Sequence, residues 1–242
     1  MSSVVPDSAG RTPAWPGPGD GVQSSGYRPL VKICGLTRPE DAEAAVRFGA
    51  SYLGVIFAGG PREVSPDRAS EIVLAADGHP VVGVFAPQDF DDILRIRDRT
   101  GLRGVQLHRA TSAEECGRLS DEGLLVIQVL RLAGHDDLAQ VDRLAAESLS
   151  HAVLVEPRVE GRLGGTGIAL ALEVAVEARR RLGGTRFFLA GGLTPESVSE
   201  AVSRVRPDAV DVSSGVEQIP GIKDIDRLAR FMEAASGQHS SA

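Results

Sequence analysis

The 242-residue sequence has few cysteines, few aromatic residues and a deficit of positive charge. Its two cysteines, Cys34 and Cys116, lie far apart, so their spacing suggests neither a disulfide framework nor a metal site. Lys and Arg number 26 against 33 Asp and Glu, and the resulting net charge of -7 disfavours binding to nucleic acid or to an anionic membrane. No segment approaches the roughly 20 consecutive apolar residues of a membrane span. We therefore expect a cytoplasmic protein without nucleic-acid, membrane or metal partners.

The two ends of the chain differ in composition from its centre. Residues 1–28 are rich in Pro, Gly and Ser, and they lack the basic start and the apolar run of a secretory signal. Such a composition predicts a disordered extension. Residues 237–242 predict a flexible tail. Residues 29–236 are long enough to form one domain with a substantial core.

The central region alternates short apolar runs with amphipathic stretches of about 10 to 15 residues, a pattern typical of strand–helix units around a parallel sheet. Eight strands are predicted, at residues 30–34, 52–57, 81–85, 104–108, 125–130, 152–156, 186–190 and 209–213. An open sheet would normally carry a glycine-rich dinucleotide fingerprint after its first strand, and that fingerprint is missing. The sequence therefore predicts a single α/β domain, a (βα)8 TIM barrel.

The first predicted strand ends in a thiol, at the position where barrel enzymes carry catalytic groups. Because side chains alternate along a strand, Val31 and Ile33 pack outward while Lys32 and Cys34 face the barrel. A lone cysteine is more often an inert buried residue. As a catalytic base it must become a thiolate, and we expect Lys32 and the helix start after Gly35 to lower the pKa of Cys34.

Three further polar residues take inward positions on other predicted strands, namely His108, Glu156 and Asp211. A thiol and a carboxylic acid at one barrel mouth suit proton transfer on a sugar phosphate, with Cys34 as the base and Glu156 as the acid. Burial would keep such an acid protonated near neutral pH. A solvated charge is the alternative for Glu156. At the substrate-binding face, His108 has either a structural or an orienting role.

Arg62 and two glycine-rich turns predict the binding of anions. Arg62 follows the second strand, and its planar guanidinium suits a carboxylate on a substrate. A glycine pair alone is more often a tight turn, but these turns follow strands seven and eight, the usual phosphate-binding corner of a barrel. The predicted phosphate-binding residues are Gly191, Gly192, Ser213, Ser214 and Gly215. The ligand is therefore expected to be a small phosphate ester.

Taken together, residues 29–232 resemble the phosphoribosylanthranilate isomerase family. The motifs that carry the resemblance include Lys-Ile-Cys-Gly-Leu-Thr at 32–37, Val-Gln-Leu-His at 105–108, Gly-Gly-Thr-Gly at 164–167 and Val-Asp-Val-Ser-Ser-Gly-Val-Glu at 210–217. The resemblance implies an Amadori rearrangement of a phosphorylated aminosugar in tryptophan biosynthesis, without cofactor or metal, by a monomer or homodimer. It implies Cys34 as the base, Arg62 as the clamp for the anthranilate carboxylate and Asp211 as a contact to sugar hydroxyls.

The sequence departs from the family pattern on the catalytic face. The family has an Asp as its general acid where this chain has Glu156, one methylene longer, and Glu160 is an alternative acid. The Phe-Asp-Trp that follows the family's Gly-Thr-Gly turn is replaced by Ile-Ala-Leu at 168–170. Three functions therefore stay open. The first is the tryptophan-pathway isomerase, which the intact Cys34, Arg62 and Asp211 favour. The others are a related isomerase of another aminoaldose phosphate and a catalytically weak paralogue that binds a phosphorylated ligand.

Overall fold

Eight parallel strands close into a barrel in which β1 is hydrogen-bonded to both β2 and β8. The structure, a computed structural model, describes residues 27–158 and 169–237. The strands are β1 (Leu30–Ile33), β2 (Tyr52–Ile56), β3 (Val81–Phe85), β4 (Gly104–Leu107), β5 (Leu125–Leu132), β6 (Ala152–Pro157), β7 (Arg186–Ala190) and β8 (Ala209–Val212). The predicted (βα)8 barrel is confirmed.

Helices connect the strands and cover the outside of the barrel. They are α1 (Pro39–Arg47), α2 (Pro66–Ala75), α3 (Phe90–Thr100), α4 (Ala113–Asp121), α5 (Leu138–Glu147), α6 (Leu172–Leu182), α7 (Val198–Val205) and α8 (Ile225–Ala235). Side-chain hydroxyls cap two of them, since Ser65 and Ser112 accept hydrogen bonds from backbone amides in the first turns of α2 and α4. Between β8 and α8 the chain forms a small antiparallel hairpin of β9 (Glu217–Ile219) and β10 (Ile222–Lys223).

Six of the eight strands end one or two residues away from the prediction. Strands β3 and β7 have the predicted bounds, whereas β1, β2, β4 and β8 each end one residue earlier and β6 ends one residue later. The backbone N–H of Cys34 still donates to Val212 O at 2.8 Å, so Cys34 keeps the inward direction of its strand. Strand β5 runs two residues further than predicted, which adds Arg131 to its inward face.

Apolar side chains fill the barrel from its amino-terminal end, and polar side chains lie nearer its mouth. Val31 and Ile33 pack outward in the main core, as predicted. A separate interior cluster contains Tyr52 and Phe188, whose ring centroids lie 5.7 Å apart. The described part of the barrel thus has a packed interior, with its buried polar residues toward the carboxyl ends of the strands.

The predicted extension and tail lie largely outside the described residues, which begin at Tyr27 and end at Gly237. Tyr27 itself contacts the barrel, because its hydroxyl donates to the Pro207 carbonyl and the Arg206 guanidinium lies 4.7 Å from its ring centroid. Within the described ranges, the helices are too short or too polar to cross a membrane.

We predict that Phe188→Ala destabilises the protein by about 3–5 kcal/mol, because it opens a cavity inside the closed barrel. Leu74→Ala serves as the control, since Leu74 is 81 % exposed on α2. Denaturant unfolding of both variants measures the difference. Similar losses for the two substitutions would contradict the packed interior described above.

Candidate active site

Lys32 lies at the centre of the polar layer and is completely buried. Its ammonium donates to Asp211 Oδ1 at 2.7 Å and to Gln106 Oε1 at 2.9 Å. Asp211 is opposite Lys32 in the register of β1 and β8, so the ladder itself sets up the ion pair. Burial alone would lower the pKa of Lys32, but Asp211 and Cys34 raise it above its usual value. The interior of the barrel therefore holds a permanent positive charge.

Cys34 lies beside this charge, 5 % exposed. Burial raises the pKa of the Cys34 thiol, Asp211 raises it further, and Lys32 offsets only part of the effect. The expected lowering of this pKa is therefore wrong for the free protein, because desolvation outweighs the ammonium. The helix expected to begin after Gly35 starts only at Pro39, so its dipole acts from further away. The resting form of Cys34 is the thiol.

Gly54 on β2 leaves the space in which the sulfur lies. A Cβ at this position would come within 2.8 Å of Cys34 Sγ and 3.2 Å of Lys32 Nζ. Any larger residue would have to displace one of these two groups. Gly54 was not predicted as part of the site, although a glycine inside a strand often marks such a close approach.

Glu156 and His108 meet at the ends of β6 and β4, and their side chains are only 8 % and 6 % exposed. Glu156 Oε1 lies 3.7 Å from His108 Nδ1. Burial raises the pKa of Glu156 to about 7, and Asp211 adds to the shift. Burial lowers the pKa of His108 to about 4, assisted by the positive charges of Lys32 and Arg131. A carboxyl that can hold a proton near pH 7 thus faces a neutral imidazole.

Two residues near this pair were missed by the sequence analysis. The Gln106 amide nitrogen lies 2.9 Å from His108 Nε2. Arg131 pairs with Glu156 in the register of β5 and β6, and its charge opposes the rise in the pKa of Glu156. Strand parity could have found both: Gln106 precedes His108 by two residues, and Arg131 was lost because the predicted strand stopped at residue 130.

Arg62 is held by the hairpin that follows β8. Its Nε and Nη2 atoms donate to the Glu217 carboxylate at 2.7–3.1 Å, and Nη1 takes no part in these bonds. Lys223, 2 % exposed, donates to Glu217 Oε1 at 3.0 Å and to the backbone carbonyl of Cys34 at 2.7 Å. The expected clamp is therefore oriented by a buried carboxylate that sequence reasoning did not identify. A Cβ atom added to Gly35 would lie 2.7 Å from Arg62 Cδ, so the Arg62 side chain lies close to the residue that follows Cys34.

The predicted phosphate-binding turns lie against one another. Gly191 and Gly192 both have positive φ angles, of 94° and 64°, which L-residues with side chains rarely adopt. A Cβ at Gly215 would lie 1.9 Å from Leu193 O, so the loops after β7 and β8 are in backbone contact. The Ser213 hydroxyl is buried and has no hydrogen-bond partner among the described residues. The Gly-Gly-Thr-Gly turn at 164–167 and Glu160 lie outside the described residues.

Comparison with known proteins identifies the family. A family model for N-(5'-phosphoribosyl)anthranilate isomerase matches residues 31–234. This chain belongs to that family. It is 39 % identical over 224 residues to the isomerase of Symbiobacterium thermophilum, an alignment that covers 86 % of this chain and 98 % of the relative.

Solved structures of the phosphoribosylanthranilate isomerase family agree with the fold. The enzyme of Thermotoga maritima superposes with a TM-score of 0.77 at 33 % identity, over 86 % of this chain and 99 % of that chain. A second isomerase structure, in complex with reduced 1-(o-carboxyphenylamino)-1-deoxyribulose 5-phosphate, has a TM-score of 0.74 at 32 % identity, over 86 % of this chain and 99 % of that one.

We predict that the free energy of unfolding of Glu156→Gln, compared with that of wild type, rises as the pH rises. A carboxyl whose pKa is raised from 4.5 to about 7 on folding contributes stability at low pH and loses it as the pH rises through 7. Between pH 5 and pH 8 the variant should gain about 2–3 kcal/mol on wild type. Urea unfolding at the two pH values measures this gain.

Glu217→Gln is the matched control for this experiment. The pKa of Glu217 is held below its usual value, because hydrogen bonds from Arg62 and Lys223 overcome the effect of burial. The ionised Glu217 carboxylate already contributes its full stabilisation at pH 5. The difference in the free energy of unfolding between Glu217→Gln and wild type should therefore stay the same up to pH 8. A Glu156→Gln difference that is equally independent of pH would contradict the raised pKa.

Proposed function

We propose that this chain converts N-(5'-phosphoribosyl)anthranilate into 1-(2-carboxyphenylamino)-1-deoxyribulose 5-phosphate, an isomerisation in tryptophan biosynthesis. The observation that carries the proposal is that a buried carboxyl of raised pKa, Glu156, and a buried thiol, Cys34, follow the inward faces of β6 and β1 at one end of the barrel. The reaction needs both, because one proton must be delivered to oxygen while another is removed from carbon.

Glu156 acts first, by protonating the ring oxygen of the furanose. The bond between that oxygen and C1 breaks, and the aniline nitrogen supplies the electrons that form an iminium. The Cys34 thiolate then removes the proton from C2, which gives an enolamine with a C1=C2 double bond. Addition of a proton at C1 and loss of the proton of the C2 hydroxyl give the ketone. The substrate is oxidised at C2 and reduced at C1, so no external oxidant or reductant takes part.

The Cys34 thiolate must form within the complex. Lys32 has three N–H donors, of which Asp211 and Gln106 take two, and Cys34 is its third neighbour. Sugar hydroxyls that bind Asp211 would share its negative charge and leave more of the ammonium's field for the sulfur. Lys32 thus acts as the electrostatic partner of the base.

The remaining residues hold the two ends of the substrate. The Arg62 Nη1 atom, which Glu217 does not use, is offered to the anthranilate carboxylate. The phosphate is placed between the turns that contain Gly191 and Gly215, with the unpartnered Ser213 hydroxyl as a donor. His108, expected among the substrate-binding residues, lies beside Glu156.

Following the loss of fluorescence of phosphoribosylanthranilate tests the function. We predict turnover by the wild-type chain and loss of turnover, by a factor of roughly a hundred or more, in Cys34→Ser, since a hydroxyl is far too weak an acid to supply a ready base. Circular dichroism of the variant controls for folding. No turnover by wild type would favour the weak paralogue, and near-wild-type turnover by a folded Cys34→Ser would refute the role of the thiol.

We predict that Arg62→Ala lowers kcat/KM by a factor equivalent to about 2–3 kcal/mol, because the carboxylate loses a charged hydrogen bond. A substrate analogue with aniline in place of anthranilate should be much less affected, since it has no carboxylate to lose. Equal losses for both compounds would show that Arg62 serves only to hold Glu217.

Compartment and assembly are part of the same proposal. Both cysteines are free, and an oxidised sulfur could not accept the C2 proton, so we place the protein in a reducing compartment such as the cytoplasm. The related isomerase of Thermotoga maritima is dimeric, and monomers were generated from it. For this chain the expected states are a monomer or a homodimer, which sedimentation velocity distinguishes.

A further inference from the structure

We propose that His108 is a positioning residue, which restrains the acid Glu156 through a hydrogen bond from Nδ1 to Oε1, and that Lys32 sets the direction of that bond through Gln106. The proposal rests on the role assigned above to Glu156. It gives His108 a task different from direct binding of the substrate.

The first step is the orientation of the Gln106 amide. The Lys32 ammonium can only donate, so the Gln106 atom that lies 2.9 Å from it must be the carbonyl oxygen Oε1. The amide nitrogen is then turned toward His108, and it lies 2.9 Å from the ring nitrogen Nε2. A fixed positive charge on β1 thus decides which end of a β4 amide faces the histidine.

The second step is the tautomer of the imidazole. The Gln106 amide nitrogen can only donate, so His108 Nε2 must accept and carries no proton. Burial keeps the ring neutral by lowering the pKa of His108 to about 4. The single ring proton is therefore on Nδ1, the atom that faces Glu156 Oε1 at 3.7 Å.

The third step is the state of the two facing atoms. His108 Nδ1 and Glu156 Oε1 are both buried, and neither has a hydrogen-bond partner within residues 27–158 and 169–237. A buried donor and a buried acceptor that both lack a hydrogen bond are costly to leave apart when they lie 3.7 Å from each other. Their separation of 3.7 Å is longer than a hydrogen bond, so the proposed bond requires the two atoms to approach by less than about 1 Å.

The restraint matters because Glu has one more rotatable bond than the Asp of the family pattern. With Oε1 engaged by His108, the other oxygen, Oε2, is left to carry the proton for the substrate. The bond strengthens when Glu156 gives up its proton, because a carboxylate is a better acceptor than a neutral acid. His108 therefore orients the acid before the reaction and stabilises its anion afterwards.

The tautomer can be observed directly in the folded wild-type protein. In the full chain labelled with 15N-histidine, ring nitrogen shifts and ring proton couplings should show the proton of His108 on Nδ1. The variants His79→Gln, His135→Gln, His151→Gln and His239→Gln assign the signals, since only those of His108 persist in all four. A proton on Nε2, or a doubly protonated ring at neutral pH, would overturn the proposal.

Two substitutions test the consequence for catalysis. His108→Asn keeps an N–H donor near the place of Nδ1, whereas His108→Gln keeps one near the place of Nε2. We expect kcat to fall by less than about tenfold in the Asn variant and by roughly a hundredfold in the Gln variant, with KM nearly unchanged in both. Equal losses of kcat, or a rise in KM alone, would show instead that His108 is structural or binds the substrate.

Failure of the underlying role of Glu156 can be told apart from failure of this proposal. Wild-type turnover in Glu156→Gln would refute the acid, whatever the tautomer of His108. If Glu156→Gln is inactive but the two His108 variants are equally active, only the positioning role is refuted.

Discussion

The buried ion pair between Lys32 and Asp211 is the constraint on which the rest of the site depends. Two charges removed from water are stable only if their remaining donors and acceptors are also satisfied. The ammonium therefore needs further partners, and these are Gln106 and the sulfur of Cys34. From this one pair a series of contacting polar side chains runs from Lys32 on β1 through Gln106 on β4 toward Glu156 on β6.

A second buried lysine gives rigidity to the rim of the barrel. Lys223 comes from the hairpin after β8, and it contacts the carbonyls of Cys34 and Ser213 as well as Glu217. Its backbone N–H also donates to Asp41 at the start of α1. One side chain thus connects the strand end that carries the thiol, the turn assigned to phosphate and the carboxylate that orients Arg62.

Strand parity predicted most of what the structure shows. Alternation placed Lys32, Cys34 and Asp211 inward, and the regular spacing of apolar runs predicted all eight strands. It could not show that Arg62 is paired with Glu217, because the two are separated by 155 residues and meet only when the hairpin folds back over β1. Nor could it give the balance of forces on Cys34, since desolvation depends on how many atoms surround the sulfur.

The raised pKa values of Cys34 and Glu156 determine which protonation states of the two groups are common in the free protein. The thiol holds its proton more tightly than the carboxyl does, so on raising the pH the acid is the first of the two to ionise. The combination proposed to react, a Cys34 thiolate with a protonated Glu156, is therefore a minor species of the free protein. When the pKa of the base lies above that of the acid, the proposed reactive species is rare, but its thiolate is strongly basic. A thiolate that regains its proton readily is also quick to take one from carbon.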